Sequence, residues 1–134
     1  MIHIESFKAF GHPPKDKYVY IIGHEDAAHV FVFLISSQKK WSEHRYLARE
    51  LVHIPRGTCS RLPVECWIQC FYQVHRLNVA ELQSRFQQHE VSHKGKLPVD
   101  FLQKVRAVVE CSDVLKSYEI EDCLAAIDTD KSTL

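Results

Sequence analysis

The chain has 134 residues, of which 46% are hydrophobic, and 17 Lys and Arg residues balance 17 Asp and Glu residues. This length suits a single domain, residues 1–134, and the zero net charge excludes a general electrostatic attraction to nucleic acid or membranes. No apolar run is long enough to span a bilayer, and the N-terminal residues lack the apolar stretch of a signal peptide. We therefore expect a cytoplasmic protein with no membrane partner.

The N-terminal half of the sequence has the pattern of β-strands. Residues 18–22 and 29–35 are β-branched and aromatic runs joined by the polar segment GHEDA, which predicts an antiparallel hairpin. RELVHI predicts another strand, and strict alternation from Val64 to Val74 predicts a long one. Because several of these runs are apolar on both faces, we expect a closed or wrapped sheet.

The five cysteines are an odd number and contain no C-x-x-C pair. In an intracellular protein, this usage indicates reduced thiols rather than a disulfide framework. Cys66 and Cys70 could in principle share a metal ion, but their positions in the alternating segment favour the core.

The second half of the sequence has the apolar spacing of helices. Asn78, with a Glu three residues later, predicts the N-cap of a first helix that ends near Gly95. Pro98 predicts the start of a second helix, and a third is predicted from about Asp113 to Ile127. Strands followed by helices indicate an α+β domain.

The segment HEVSH, residues His89 to His93, matches the H-E-x-x-H pattern of zinc hydrolases. In those enzymes, a buried helix directs both imidazoles toward the metal. Here the match is predicted to lie in the last turn of the first helix, among polar neighbours, where cationic side chains complement the helix dipole. No histidine follows His93, so a third ligand would have to be a carboxylate or an upstream histidine. We therefore expect no metal and no cofactor.

Three motifs occur in an order that points to a different chemistry. The first, KYVYIIGHEDAAHVFVFLISSQKKW, begins with a cation and contains the strand ending LISSQ; LPVECWIQCFYQVHRL and KGKLPVDFLQKV follow it. In the order and spacing of these motifs, the chain resembles the MazF/PemK family of toxin endoribonucleases from about Lys17 to Val109. The resemblance implies an SH3-like antiparallel β-barrel over about residues 1–77, followed by two or three helices over about residues 78–128.

The resemblance also implies an activity. Members of this family cut single-stranded RNA without a metal, by attack of a ribose 2′-oxygen on the adjacent phosphate. They often form homodimers whose groove binds either RNA or an antitoxin protein. The catalytic Arg of the family falls at Lys17, its catalytic Thr or Ser falls at Ser36, and the Pro that usually follows the Arg is Tyr18. Lysine is a point charge, which lacks the planar two-pronged grip of arginine on phosphate.

Residues close to these positions are further candidates for the site. His24 in the hairpin turn can titrate near neutral pH, so it is a third candidate catalytic residue. The loop after the second run combines cations with an aromatic ring on which an unpaired base can stack. Its candidate RNA-binding residues are Ser37, Gln38, Lys39, Lys40, Trp41, His44 and Arg45. A solvated polar loop, with serines that end a strand by bonding to the backbone, explains the same pattern without a site.

Two functions are consistent with these features. The first is a toxin-like, metal-independent endoribonuclease of a toxin–antitoxin system, with single-stranded RNA and an antitoxin protein as partners. The second is a non-catalytic SH3-like module that binds protein or nucleic acid in a defence or regulatory system, since a shared fold does not guarantee shared chemistry. The positions of Lys17 and Ser36 in the folded chain bear on the choice between these two functions.

Overall fold

The described residues of the chain form one seven-stranded antiparallel sheet and three α-helices. A computed structural model describes residues 1–7, 15–37, 47–59, 62, 64–70 and 75–131. The strands are β1 (Ile2–Phe7), β2 (Lys15–His24), β3 (His29–Ser36), β4 (Leu51–Ile54), β5 (Cys66–Gln69), β6 (His75–Asn78) and β7 (Val91–His93). The helices are α1 (Val79–Gln87), α2 (Val99–Glu110) and α3 (Ser117–Lys131).

The order of the strands defines an open path. It runs β4-β5-β3-β2-β1-β7, and β6 pairs with β3 along the same edge as β5. Among the described residues, no ladder joins β4 to β7, the two ends of the path. The predicted α+β layout with C-terminal helices is therefore confirmed, whereas closure into an SH3-like barrel stays a prediction.

The predicted hairpin of β2 and β3 is confirmed, and its turn is stabilised by Asp26. The carboxylate of Asp26 accepts hydrogen bonds from the backbone N–H groups of Ala28 and His29, both at 2.8 Å. These bonds hold the pKa of Asp26 below its usual value, chiefly through the Ala28 N–H group. A side chain that bonds to the backbone two or three residues later is the usual signature of such a turn.

The segment predicted as one strand from Val64 to Val74 contains β5, and β6 follows directly after it. Leu34 pairs with Gln69 and Val32 pairs with His75, so two steps along β3 correspond to six steps along the partner segment. This register shift separates β5 from β6, and residues 71–74 between them lie outside the described part of the chain. The predicted strand is therefore confirmed for Cys66–Gln69, and its last four residues lie outside the described part of the chain.

Each face of the sheet packs against helices, as the two-sided apolar pattern predicts. Side chains that alternate along the strands divide between the two faces. The larger core lies against α2 and α3; it includes Tyr20, Ile22, Phe31, Phe33, Ile35, Val52, Ile68, Phe101, Val105, Val109, Cys123, Ala126 and Ile127. The smaller core lies against α1 and consists of Val19, Val30, Val32, Leu82 and Val91. Burial of each valine, leucine, isoleucine or phenylalanine side chain in these cores stabilises the fold by about 1.5–3 kcal/mol.

The cysteines are consistent with this core. Cys66 and Cys70 are buried in the larger cluster, as predicted, and no disulfide forms among the five thiols. Burial raises the pKa of both thiols and raises that of Cys123 to about 12. These groups are therefore packed as small apolar side chains, whereas Cys111 is exposed.

The first helix starts where the sequence predicts and ends earlier. The Asn78 side chain accepts a hydrogen bond from the Glu81 N–H group at 2.9 Å, which confirms the predicted N-cap. The helix ends at Gln87 rather than near Gly95, because His89 has a positive φ of 62° and the chain then enters β7. The HEVSH segment therefore lies in a turn and a strand, and its predicted position in a helix is wrong.

A buried carboxylate connects the segment before β4 to the loop between α2 and α3. Glu50, at the end of a 3-10 turn, is only 1% exposed. It accepts hydrogen bonds from the hydroxyl of Ser112 and from the Val114 N–H group, the latter at 3.1 Å. The Ser112 oxygen also accepts a hydrogen bond from the Leu115 N–H group at 3.0 Å, and this capped loop explains why α3 begins at Ser117, later than predicted.

No helix among the described residues has the length and apolar character that a bilayer span requires.

Candidate functional site

Lys17 and Ser36, the two residues suggested by the family resemblance, lie on adjacent antiparallel strands. Tyr18 of β2 is paired with Ile35 of β3. Continuing this register by one residue sets Lys17 opposite Ser36, because both residues lie within their strands. Directly opposed residues have Cβ atoms roughly 4.5–5.5 Å apart and point to the same face of a sheet. The fold therefore brings the two residues together.

The same register extends across two further strands. Ser36 pairs with Trp67 of β5, and Trp67 pairs with His53 of β4. We call Lys17, Ser36, Trp67 and His53 the cross-strand row. Since neighbouring strands lie about 4.8 Å apart, the row spans roughly 14 Å between its outer Cα atoms.

The cross-strand row lies on the face of the sheet that carries α1. The residues next to the row in sequence, such as Ile35, Val52 and Ile68, point to the opposite face and belong to the larger core. Lys17 and Ser36 are half-buried and His53 is exposed, whereas Trp67 is only 8% exposed. The row thus combines an ammonium group, a hydroxyl and an imidazole around a packed indole.

His53 is held in a defined orientation. Its Nε2 atom lies 2.7 Å from Oε2 of Glu65, and its ring lies 5.5 Å from the Trp67 ring at an interplanar angle of 33°. Because a carboxylate only accepts hydrogen bonds, Nε2 donates and carries the proton. The lone pair of the neutral imidazole is therefore on Nδ1, where it can accept a proton.

His24 does not join this row. It lies at the other end of β2 from Lys17, paired with Val30, and it is exposed. Seven residues of extended chain separate it from Lys17, which corresponds to roughly 23 Å along the strand. Ser37 directly follows the row position of Ser36 and is exposed. The remaining predicted RNA-binding residues lie outside the described part of the chain; they are Gln38, Lys39, Lys40, Trp41, His44 and Arg45.

The only group of potential metal ligands among the described residues is in the hairpin turn. Ligand atoms of Glu25, Asp26 and His29 all lie within 4.8 Å of one another. However, the Arg76 guanidinium lies 2.5 Å from Glu25, and Asp26 accepts two backbone hydrogen bonds of the turn. These contacts explain why the three side chains lie close together: they stabilise the hairpin turn.

The histidines of HEVSH do not form a metal site of the zinc hydrolase type. His89 lies in the turn after α1, and His93 lies on β7, so the two imidazoles do not share a helix face. The Nδ1 atom of His93 accepts a hydrogen bond from the Gly95 N–H group at 3.1 Å. The arrangement that the H-E-x-x-H pattern requires is therefore absent from this segment.

Sequence reasoning missed His53, Glu65 and Trp67. The available signal was a polar residue between two apolar ones in VHI, which directs His53 away from the core. That signal gives the face of a strand but not its neighbours, and only the pairing of β4, β5 and β3 brings the three residues to Ser36. The sequence matches no protein-family model, and no curated protein is a significant match to it.

Proposed function

We propose that this protein is a metal-independent endoribonuclease that cuts single-stranded RNA at the site of Lys17 and Ser36. The single observation that carries the proposal is the register of β2 and β3, which sets these residues opposite each other on one face. The motifs that resemble the MazF/PemK family point to the same two residues, and they do so without any knowledge of how the strands pair. Two strands of a sheet are also a rigid support for groups that must be held in a fixed geometry.

The chemistry of this pair suits phosphoryl transfer. When a ribose 2′-oxygen attacks the adjacent phosphorus, negative charge increases on the non-bridging oxygens. The Lys17 ammonium group stabilises that charge, and the Ser36 hydroxyl donates a hydrogen bond to one of the same oxygens. The bond from phosphorus to O5′ then breaks, which leaves a 2′,3′-cyclic phosphate and a 5′-hydroxyl end.

In the cell, the protein acts as the toxin of a toxin–antitoxin pair in the cytoplasm. It forms a homodimer, and an antitoxin protein blocks growth inhibition by occupying the RNA-binding face. Because the net charge of the chain is zero, RNA binding depends on local cations such as Lys17 and those of the segment after Ser37. RNA affinity therefore decreases as salt concentration increases.

The test is cleavage of a randomised pool of 5′-labelled single-stranded RNA in the presence of EDTA. Wild-type protein should give products that end in cyclic phosphate, and Lys17→Ala with Ser36→Ala should abolish them. Lys104→Ala is the matched control, because Lys104 lies on α2 and pairs with Asp100 at 3.5 Å. Equal cleavage by wild type and the double variant, or cleavage by neither, contradicts the proposal.

The second candidate is a non-catalytic module that binds RNA or protein through the same face. The observation that favours it is the pair Lys17-Tyr18, where the family has Arg-Pro. Lysine grips phosphate less specifically than arginine, so binding can persist where catalysis is lost. Salt-sensitive binding of the RNA pool without any cleavage over a long incubation would support this function and exclude the first.

A further inference from the structure

We infer that His53, oriented by Glu65, is the proton-accepting residue of the site that contains Lys17 and Ser36. This inference rests on the proposed endoribonuclease function and adds to it a residue that neither the motifs nor the resemblance indicates. Cleavage of RNA through the 2′-oxygen requires a base for the 2′-hydroxyl proton. Lys17 and Ser36 supply a cation and a hydrogen-bond donor, so the pair by itself leaves that role open.

The position of His53 suits this role. It is the outer member of the cross-strand row, two strands from Ser36 and three strands from Lys17. At about 4.8 Å per strand, its Cα atom lies roughly 10 Å from that of Ser36. Both side chains project from the same face, and the packed indole of Trp67 lies between them in the row, so a nucleotide has to lie across this indole to contact both.

The contacts of His53 fix which nitrogen can act. Glu65 receives the Nε2 proton at 2.7 Å, and the Trp67 ring packs against one side of the imidazole. A base that is oriented by a carboxylate on its other nitrogen has a fixed tautomer, with its lone pair on the reacting side. Here that lone pair is on Nδ1. Glu65 is accordingly a positioning residue, since it acts through His53.

The reaction is balanced with these groups. Nδ1 of His53 takes the proton of the 2′-hydroxyl as the bond from the 2′-oxygen to phosphorus forms. The bond from phosphorus to O5′ breaks with its electron pair, and O5′ takes a proton from solvent. Lys17 and Ser36 stabilise the charge on the non-bridging oxygens. The imidazolium of His53 then returns its proton to solvent. The charged side chain bonded to His53 is Glu65, and Lys17 is the charged residue at the other end of the row.

The contact between His53 and Glu65 could serve only the stability of the fold, or it could orient a catalytic base. The pH dependence of RNA cleavage distinguishes these two roles. A free imidazole base makes the rate increase with pH through the neutral range, where histidine titrates. The experiment measures single-turnover cleavage of the randomised RNA pool between pH 5 and pH 8 in EDTA. The variants are His53→Gln, Glu65→Gln and, as a matched control, His93→Gln on β7.

We expect His53→Gln to reduce the rate about 10²- to 10⁴-fold and to remove its dependence on pH in this range. Glu65→Gln should reduce the rate by an intermediate factor, and His93→Gln should leave both the rate and the profile unchanged. His53→Gln should bind a 2′-O-methyl version of the pool with wild-type affinity, which shows that the fold and the RNA-binding face are intact.

The outcomes distinguish this inference from the proposed function. If wild type cleaves, the Lys17 and Ser36 variants do not, and His53→Gln keeps the wild-type rate and profile, the inference on His53 is overturned while the endoribonuclease remains. If His53→Gln loses binding of the 2′-O-methyl pool together with cleavage, His53 has a binding or structural role and the inference is also overturned. If wild type gives no cleavage, both fail.

Discussion

Gly23 of β2 packs so closely against Ala126 of α3 that a Cβ atom at Gly23 would lie 2.3 Å from the Ala126 carbonyl oxygen. Since the obstacle is helix backbone and not a flexible side chain, Gly23→Ala must push α3 away from the sheet. We expect a loss of about 1–3 kcal/mol in the free energy of unfolding, measured by urea denaturation.

Gly57 offers a comparison for this substitution. It has a positive φ of 90°, and a Cβ atom there would meet nothing within 4 Å. Gly57→Asn tests backbone strain without a clash, because Asn tolerates the left-handed region better than most residues. If Gly23→Ala is no more destabilising than Gly57→Asn, the close contact between β2 and α3 is not a constraint on stability.

Glu50 is expected to be the most sensitive charged residue of the described core. Glu50→Ala removes the acceptor of the Ser112 hydroxyl and of the Val114 N–H group, and it leaves a cavity. The expected loss is about 2–4 kcal/mol, seen as a lower midpoint in urea. Glu50→Gln retains one acceptor oxygen and should lose less. Arg49→Ala, at an exposed neighbouring position, serves as the control, and an equal effect of Arg49→Ala would contradict the role of the buried carboxylate.

His75 is expected to make the fold sensitive to mild acid. Burial lowers the pKa of this half-buried imidazole on β6. Below about pH 6.5, an unfolded His75 binds a proton that the folded side chain does not bind, so stability decreases as pH falls from there toward the folded pKa. Thermal unfolding measured between pH 7 and pH 5 should show a smaller loss of stability for His75→Gln than for wild type. Identical pH dependence of the two proteins would show that other groups are responsible.

Local signals in the sequence predicted the elements that local interactions stabilise. The hairpin of β2 and β3 followed from two apolar runs and a polar turn, and the cap of α1 followed from Asn78. By contrast, β1 and the three-residue β7 were missed. β7 is stabilised by pairing with β1 across most of the chain, whereas β1 also pairs with β2. The turn at His89 belongs to the same long-range arrangement, and it explains the error at HEVSH.

The candidate site shows the same division. The opposition of Lys17 and Ser36 follows from the register at the short turn and from the one-residue shift in β2 between Ile21 and Gly23. The addition of Trp67 and His53 depends on the pairing of β3 with β5, which are not consecutive, and of β5 with β4, which are joined by residues 55–65 rather than by a tight turn. Single-sequence patterns give the face of each strand and the pairing of a tight hairpin, but they do not show which strands with long connections become neighbours.

The identity of the cation at position 17 gives the last prediction. If Lys17 stabilises charge on the phosphate, Lys17→Arg should keep or increase the rate of RNA cleavage, because a guanidinium donates two parallel hydrogen bonds to phosphate oxygens. Lys17→Met, which has similar length and no charge, should lose about 10²- to 10³-fold in rate, as expected when one group that stabilises the transition state is removed. Single-turnover cleavage of the RNA pool measures both, and circular dichroism spectra of the variants serve as the control for folding. Equal rates for Lys17→Met and wild type would show that position 17 contributes no charge to the reaction, and the site would then have to be sought elsewhere on this face of the sheet.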